Sequence, residues 1–274
     1  MGRLQMKNLA IALTFLVSFS SSVVAQDFAK GLAAHEAGDY GTALEEWEPL
    51  AEAGKASAQF NLALMYRNGR GVDQDYTKAA KLYRQAADQG NTAAQCNLAV
   101  MYMFGEGVPK SYEEAVKLYK QAADLGDAQA QYNLGVMHWR GEHVSKDYHE
   151  AARLYQQAAE QGYPDAQSNL ALMYEIGQAV PKSYKIAAKL HRQAANQGFG
   201  PAQYSLGVMY EKGWGVSQDN VMAHMWFNVG VANGNILSGK GRDMIAEEMT
   251  SEDLRKAHVM AAECLESGYN NCGY

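Results

Sequence analysis

The chain has 274 residues, with 24 Lys and Arg against 30 Asp and Glu and a formal net charge of −6. An acidic balance excludes a nucleic-acid partner, which needs a basic surface to displace counterions. No apolar run beyond the first 25 residues is long enough to span a bilayer, so no membrane insertion is expected after removal of a leader.

That leader is the first expected segment. Arg3 and Lys7 form a positive start, Leu9 to Val17 an apolar run broken only by Thr14, and Val23-Val24-Ala25 a small-residue end. This is the layout of a secretory signal peptide over residues 1–25, cut between Ala25 and Gln26, with an uncleaved anchor helix as the alternative. Its loss removes two cations and no anion, so −6 becomes −8. The protein is therefore expected to be secreted or periplasmic, where disulfides persist. Of three cysteines, Cys264 and Cys272 lie close together in CLESGYNNC and are expected to form a local bridge; Cys96 is left over.

Residues 26–57 read as an N-terminal capping helix pair with a short turn at Gly38-Asp39. From there a period governs the chain. Ala58, Ala94, Ala130, Ala166 and Ala202 stand 36 residues apart, which defines repeats at 58–93, 94–129, 130–165, 166–201 and 202–237. A period of this size marks a stack of helical units. In each unit a first helix carries small and apolar residues at helical spacing, as at Ala58, Leu62, Ala63, Met65 and Tyr66. A loop follows, Gly69-Arg70-Gly71-Val72 in the first copy, whose glycines supply positive φ. His143 and Ala179 replace the second glycine, so either the turn is strained there or the requirement is soft. The second helix begins at Asp75, Ser111, Asp147, Ser183 or Asp219, all N-cap residues, with Glu114 and Glu150 placed to complete capping boxes. Gly90 and its equivalents end it. Residues 238–274 read as capping helices.

The pattern A-x-x-x-L-[AG]-x-M-Y-x-x-G-x-G-V followed by A-x-x-x-Y-x-x-A-A-x-x-G resembles the Sel-one-like repeat, a relative of the tetratricopeptide repeats with a longer loop. The resemblance covers about residues 28 to 238. The tail, from MWFNVGVANGN to CLESGYNNC, resembles the C-terminal cap of secreted bacterial members. The resemblance implies an all-α, right-handed α-solenoid of stacked helix pairs with a helical C-terminal cap, and adaptor roles in protein complexes. Exported bacterial members are associated with envelope function, signalling and host contact.

Chemistry is hard to find. Cysteine-rich relatives have been linked to β-lactams, but they carry a cysteine pair per repeat, which this chain lacks. The mature chain has no S-x-x-K, K-T-G, G-x-S-x-G or H-E-x-x-H, so no catalytic residue, metal ligand or cofactor is assigned and no enzyme is expected. Where repeats differ, the fold is not choosing the residue. The first helices have three such columns, containing Phe60, Tyr132 and Tyr204; Arg67, Met103, Trp139, Glu175 and Glu211; and Phe104 and Arg140. They share a helix face with the recurrent Asn61, Asn97, Asn133 and Asn169. In stacked pairs the first helices line the concave wall, so these residues are the candidates for a groove that binds a protein or peptide segment. Asparagine amides would hold its backbone and aromatic or Arg side chains would anchor it. The alternatives are a module for cell-wall glycan, with Tyr132 and Trp139 as stacking platforms, and, less favoured, a β-lactam hydrolase.

Overall fold

The computed structural model describes residues 28–273, all of whose regular elements are helices, with no strand among them. The expected leader and its cut between Ala25 and Gln26 lie outside the described residues. The helices are α1 (28–36), α2 (Tyr40–Glu52), α3 (Ala56–Asn68), α4 (Tyr76–Ala87), α5 (Thr92–Phe104), α6 (Tyr112–Asp124), α7 (Ala128–Arg140), α8 (Tyr148–Glu160), α9 (Pro164–Ile176), α10 (Tyr184–Ala195), α11 (Gly200–Lys212), α12 (Asn220–Ala232), α13 (Ile236–Ala246) and α14 (Ser251–Glu266). They form an all-α array of stacked helix pairs. None is long and apolar enough to cross a membrane. The chain divides into two compact units between Leu125 and Gly126.

In the first unit each helix from α2 to α6 packs on its chain neighbours. Trp47 is fully buried; it stacks on Phe28 and donates its indole N–H to the Phe28 carbonyl at 3.3 Å. The expected first-helix stripe of Ala58, Leu62, Ala63, Met65 and Tyr66 is buried in full. In the second unit the small-residue rule has a visible cause. A Cβ on Gly135 would lie 2.8 Å from the Tyr155 ring, and one on Gly207 would lie 2.5 Å from the Phe227 ring. Helix pairs approach there too closely for any side chain.

The loops are tightly determined. Gly69 takes φ 66° and its N–H returns to the Met65 carbonyl, as does that of Arg70. The second loop position keeps positive φ whatever residue fills it: 66° at Gly107, 63° at His143 and 60° at Ala179. The backbone requirement is therefore hard, and the two substituted loops are strained. The five expected N-caps all accept from the backbone of the following turn, as Asp75 does from Lys78 at 2.9 Å.

The capping boxes do not form. The N–H of Ser111 donates to the Tyr102 carbonyl at 2.9 Å and that of Asp147 to His138 at 3.0 Å, so neither needs a glutamate. Glu150 pairs instead with Arg153 at 2.6 Å.

Within each unit a column of buried amides beside the recurrent alanines ties successive helices together. Gln59, Gln95, Gln167 and Gln203 each donate to a carbonyl eight residues earlier. The side-chain oxygens of Gln59, Gln131, Gln167 and Gln203 accept from Gln89, Gln161, Gln197 and Asn233 at 2.8 to 3.0 Å. At the equivalent place after Gln95 stands Leu125, and the buried Gln95 Oε1 has no hydrogen-bond partner among the described residues.

The C-terminal cap closes on this column. Cys264 and Cys272 are joined, and the tail between them carries Tyr269, whose hydroxyl donates to Asn233 Oδ1 at 2.8 Å. Thr250 caps α14.

Candidate functional site

Among the candidate residues of the first unit, Arg67 and Asn97 engage each other and several others are tied to the fold. Asn61 and Asn97 donate to their own helix, to Ser57 and Ala93. Arg67 donates to Asn97 Oδ1 at 3.0 Å and to Glu106 at 3.2 Å, so both ends of the Asn97 amide are committed. Phe60 packs against Tyr83, ring centroids 5.9 Å apart. Met103 is half-buried, while Phe104, the last residue of α5, is 68% exposed. The expected asparagine ladder is thus a structural device in this unit.

The second unit is different. Between α7, α8 and α9 lies a cleft of about 270 Å³. Tyr132, Trp139 and Tyr155 supply its aromatic walls, Val136 and Leu172 its aliphatic ones, and Arg140 and Asn169 its polar groups. Four of these seven, Tyr132, Trp139, Arg140 and Asn169, are candidates from the variable and asparagine columns. The other three sit in columns that recur between repeats and carried no signal of their own. The walls are braced from behind. Tyr132 lies 6.0 Å from Tyr155 and 5.3 Å from Tyr163, and Trp139 meets Tyr148 edge-on at 5.0 Å.

Burial raises both tyrosine hydroxyls above their ordinary value. The Tyr155 hydroxyl is pushed up to about 12 by desolvation, against a lowering hydrogen bond from Asn169. Tyr132 is raised chiefly by burial and secondly by Asp165, again opposed by Asn169 and by Arg140. Among the described residues the Arg140 guanidinium has one ion pair, with Glu142 at 3.7 Å, and both groups are solvent-exposed. Such a pair contributes little.

The remaining candidates lie outside the cleft. Asn133 is half-buried. Glu175 accepts from the fully buried His191 at 2.7 Å. Tyr204 packs on Phe227 at 5.8 Å, and Glu211 pairs with Lys212. His138 is half-buried, with Nδ1 against the Ser145 carbonyl. Among the described residues no group of three or more His, Cys, Asp or Glu could hold a metal ion.

The family model described as Sel1 repeat matches five contiguous copies, at residues 56–91, 92–127, 128–163, 164–199 and 200–235. This chain belongs to the Sel1 repeat family. The matched copies start at or beside the first residues of α3, α5, α7, α9 and α11, so each Sel1 repeat is one helix pair. A Sel1 repeat protein from Oxalobacter formigenes is 30% identical, with a TM-score of 0.75 over 86% of this chain and 99% of its own. The structure of c5321, described as a protective antigen of uropathogenic Escherichia coli strains displaying an SLR fold, is 25% identical. Its TM-score is 0.51 over 90% of this chain and 70% of its own. No curated protein matched the chain. Sel1 repeat proteins generally mediate protein–protein interaction.

Proposed function

We propose that this Sel1 repeat protein is an exported, non-enzymatic scaffold that binds a segment of a partner protein on α7 and α9. The carrying observation is the preformed cleft of Tyr132, Trp139 and Tyr155, flanked by Arg140 and Asn169. Aromatic and Arg side chains around a small apolar recess are what dominates binding energy in protein interfaces. Export rests on the leader pattern of residues 1–25.

The glycan reading is weaker. A sugar ring stacks on a whole open aromatic face, whereas Tyr132, half-buried against Tyr155 and Tyr163, offers the cleft only part of its ring. The deciding experiment is affinity capture from the native envelope fraction with wild type and Trp139→Ala, with circular dichroism to verify folding. Loss of the specifically captured protein in the variant supports the groove. Equal capture by both rejects it, and co-sedimentation of the wild type with purified peptidoglycan would favour the glycan alternative.

A further inference from the structure

The cleft's polar groups have a shared character that the proposed scaffold role leaves unused. Around its apolar walls stand the Arg140 guanidinium, the Asn169 amide and the hydroxyls of Tyr132 and Tyr155. Arg140 has donors only, and each hydroxyl and the amide can donate. Among the described residues no carboxylate lines the cleft. The nearby acids, Glu142 and Asp165, are outside the lining, and Glu142 holds Arg140 only through the exposed 3.7 Å pair. Asn169 is already bonded to both tyrosine hydroxyls, so the loosely engaged Arg140 guanidinium is the main donor the cleft offers, beside apolar walls.

The volume limits the occupant further. A space of about 270 Å³ is the size of a single large side chain rather than a helix or a strand. Its walls are three aromatic rings, which favour another ring in an offset or edge-on contact. The Trp139 and Arg140 pair at the end of α7 puts the cation next to the aromatic wall.

We infer that the cleft selects a partner segment in which an aromatic side chain, inserted between Tyr132, Trp139 and Tyr155, is accompanied within two residues by an acidic side chain bound to Arg140. This deepens the scaffold reading and rests on it. The aromatic residue supplies buried apolar contact, and the carboxylate accepts charge-assisted bonds from the guanidinium. The Glu142 contact is exchanged for the partner's carboxylate. The protein's overall negative charge disfavours generally acidic segments, so one acid beside one ring is selected over a run of acids.

The test is selection of a random linear peptide library on immobilised full-length protein, with Trp139→Ala as the counter-selected control. The expected peptides combine Phe, Tyr or Trp with Asp or Glu within two positions. Their affinity should fall about tenfold with Arg140→Gln, and by a similar factor when the peptide's acid is changed to its amide. Arg140 is exposed, so the Gln variant should fold, and circular dichroism verifies it. Peptides that need Trp139 but show no acid, or that bind Arg140→Gln unchanged, overturn this inference and leave the groove reading standing. If no selected peptide depends on Trp139, the groove reading itself fails.

Discussion

Leu125 is the residue at which the chain departs most clearly from its own rules. Four copies of the amide column end in Gln or Asn, and this one ends in an apolar side chain that is 61% exposed. The consequence falls on Gln95, whose buried Oε1 lacks the donor its counterparts have. A buried acceptor without a partner costs about 1–3 kcal/mol. Leu125→Gln should recover part of that while losing little apolar burial. We expect the melting temperature to rise by about 2–4 °C in calorimetry; an unchanged value would mean that water already serves Gln95. A second local conflict is Ala179 at φ 60°, where its counterparts in three repeats are glycine. An L-residue there costs about 1–2 kcal/mol, partly offset by the backbone entropy glycine loses. Ala179→Gly should therefore stabilise by about 0.5–1 kcal/mol in urea titrations, whereas the same exchange at an ordinary helical alanine should destabilise.

At the level of the element, α12 stands apart from the other second helices. It carries buried Met222, Met225 and Val229 where α4 has the outer Lys78, Lys81 and Gln85, because α13 and α14 cover it. His224 takes a position held by Ala80, Val116, Ala152 and Ala188 elsewhere and is almost fully buried against His258 of α14. Its neutral Nδ1 pairs with Asn228 at 2.9 Å. Burial, then the His258, Arg242 and Asp243 charges, hold its imidazole near about 4, with Asp243 alone acting upward. A lowered folded value means that the unfolded chain takes up the proton first. The stabilisation is complete above about pH 6.5 and is lost as pH falls toward 4. Between those limits the melting temperature of the wild type should fall more steeply than that of His224→Ala. Parallel slopes would show that other groups set the acid response.

Across the molecule, packing between chain neighbours predicts that stability is local. Trp47 is buried in the first helical pair and Trp226 in α12 beneath the C-terminal cap, so they report on separate places. Reducing the Cys264–Cys272 bridge should lower the urea midpoint seen by Trp226 in a variant with Trp47, Trp139 and Trp214 changed to Phe. The midpoint seen by Trp47 in the matching single-tryptophan variant should move far less. A common shift would indicate one cooperative unit. The repeat architecture was legible because Ala, Leu, Met, Tyr and Gly recur in phase. The amide column was not, although Gln59, Gln95, Gln131, Gln167 and Gln203 recur as faithfully: a hydropathy pattern treats a buried amide as surface. The cleft was half legible. Variation between copies pointed to Tyr132, Trp139 and Arg140, and the same criterion also chose Arg67. A pairing between neighbouring repeats, such as that of Arg67 with Asn97, leaves no trace in either helix alone.

The loop bond from Asp75 to the Tyr66 carbonyl, and its four equivalents, also limits how this protein can evolve. Each loop is clamped at its glycine end and again at its capping residue. One inserted or deleted codon would break the second clamp and displace the cap from its helix. Gain or loss of a whole repeat leaves both clamps intact. Lineages of this gene should therefore differ in repeat number much more readily than in loop length.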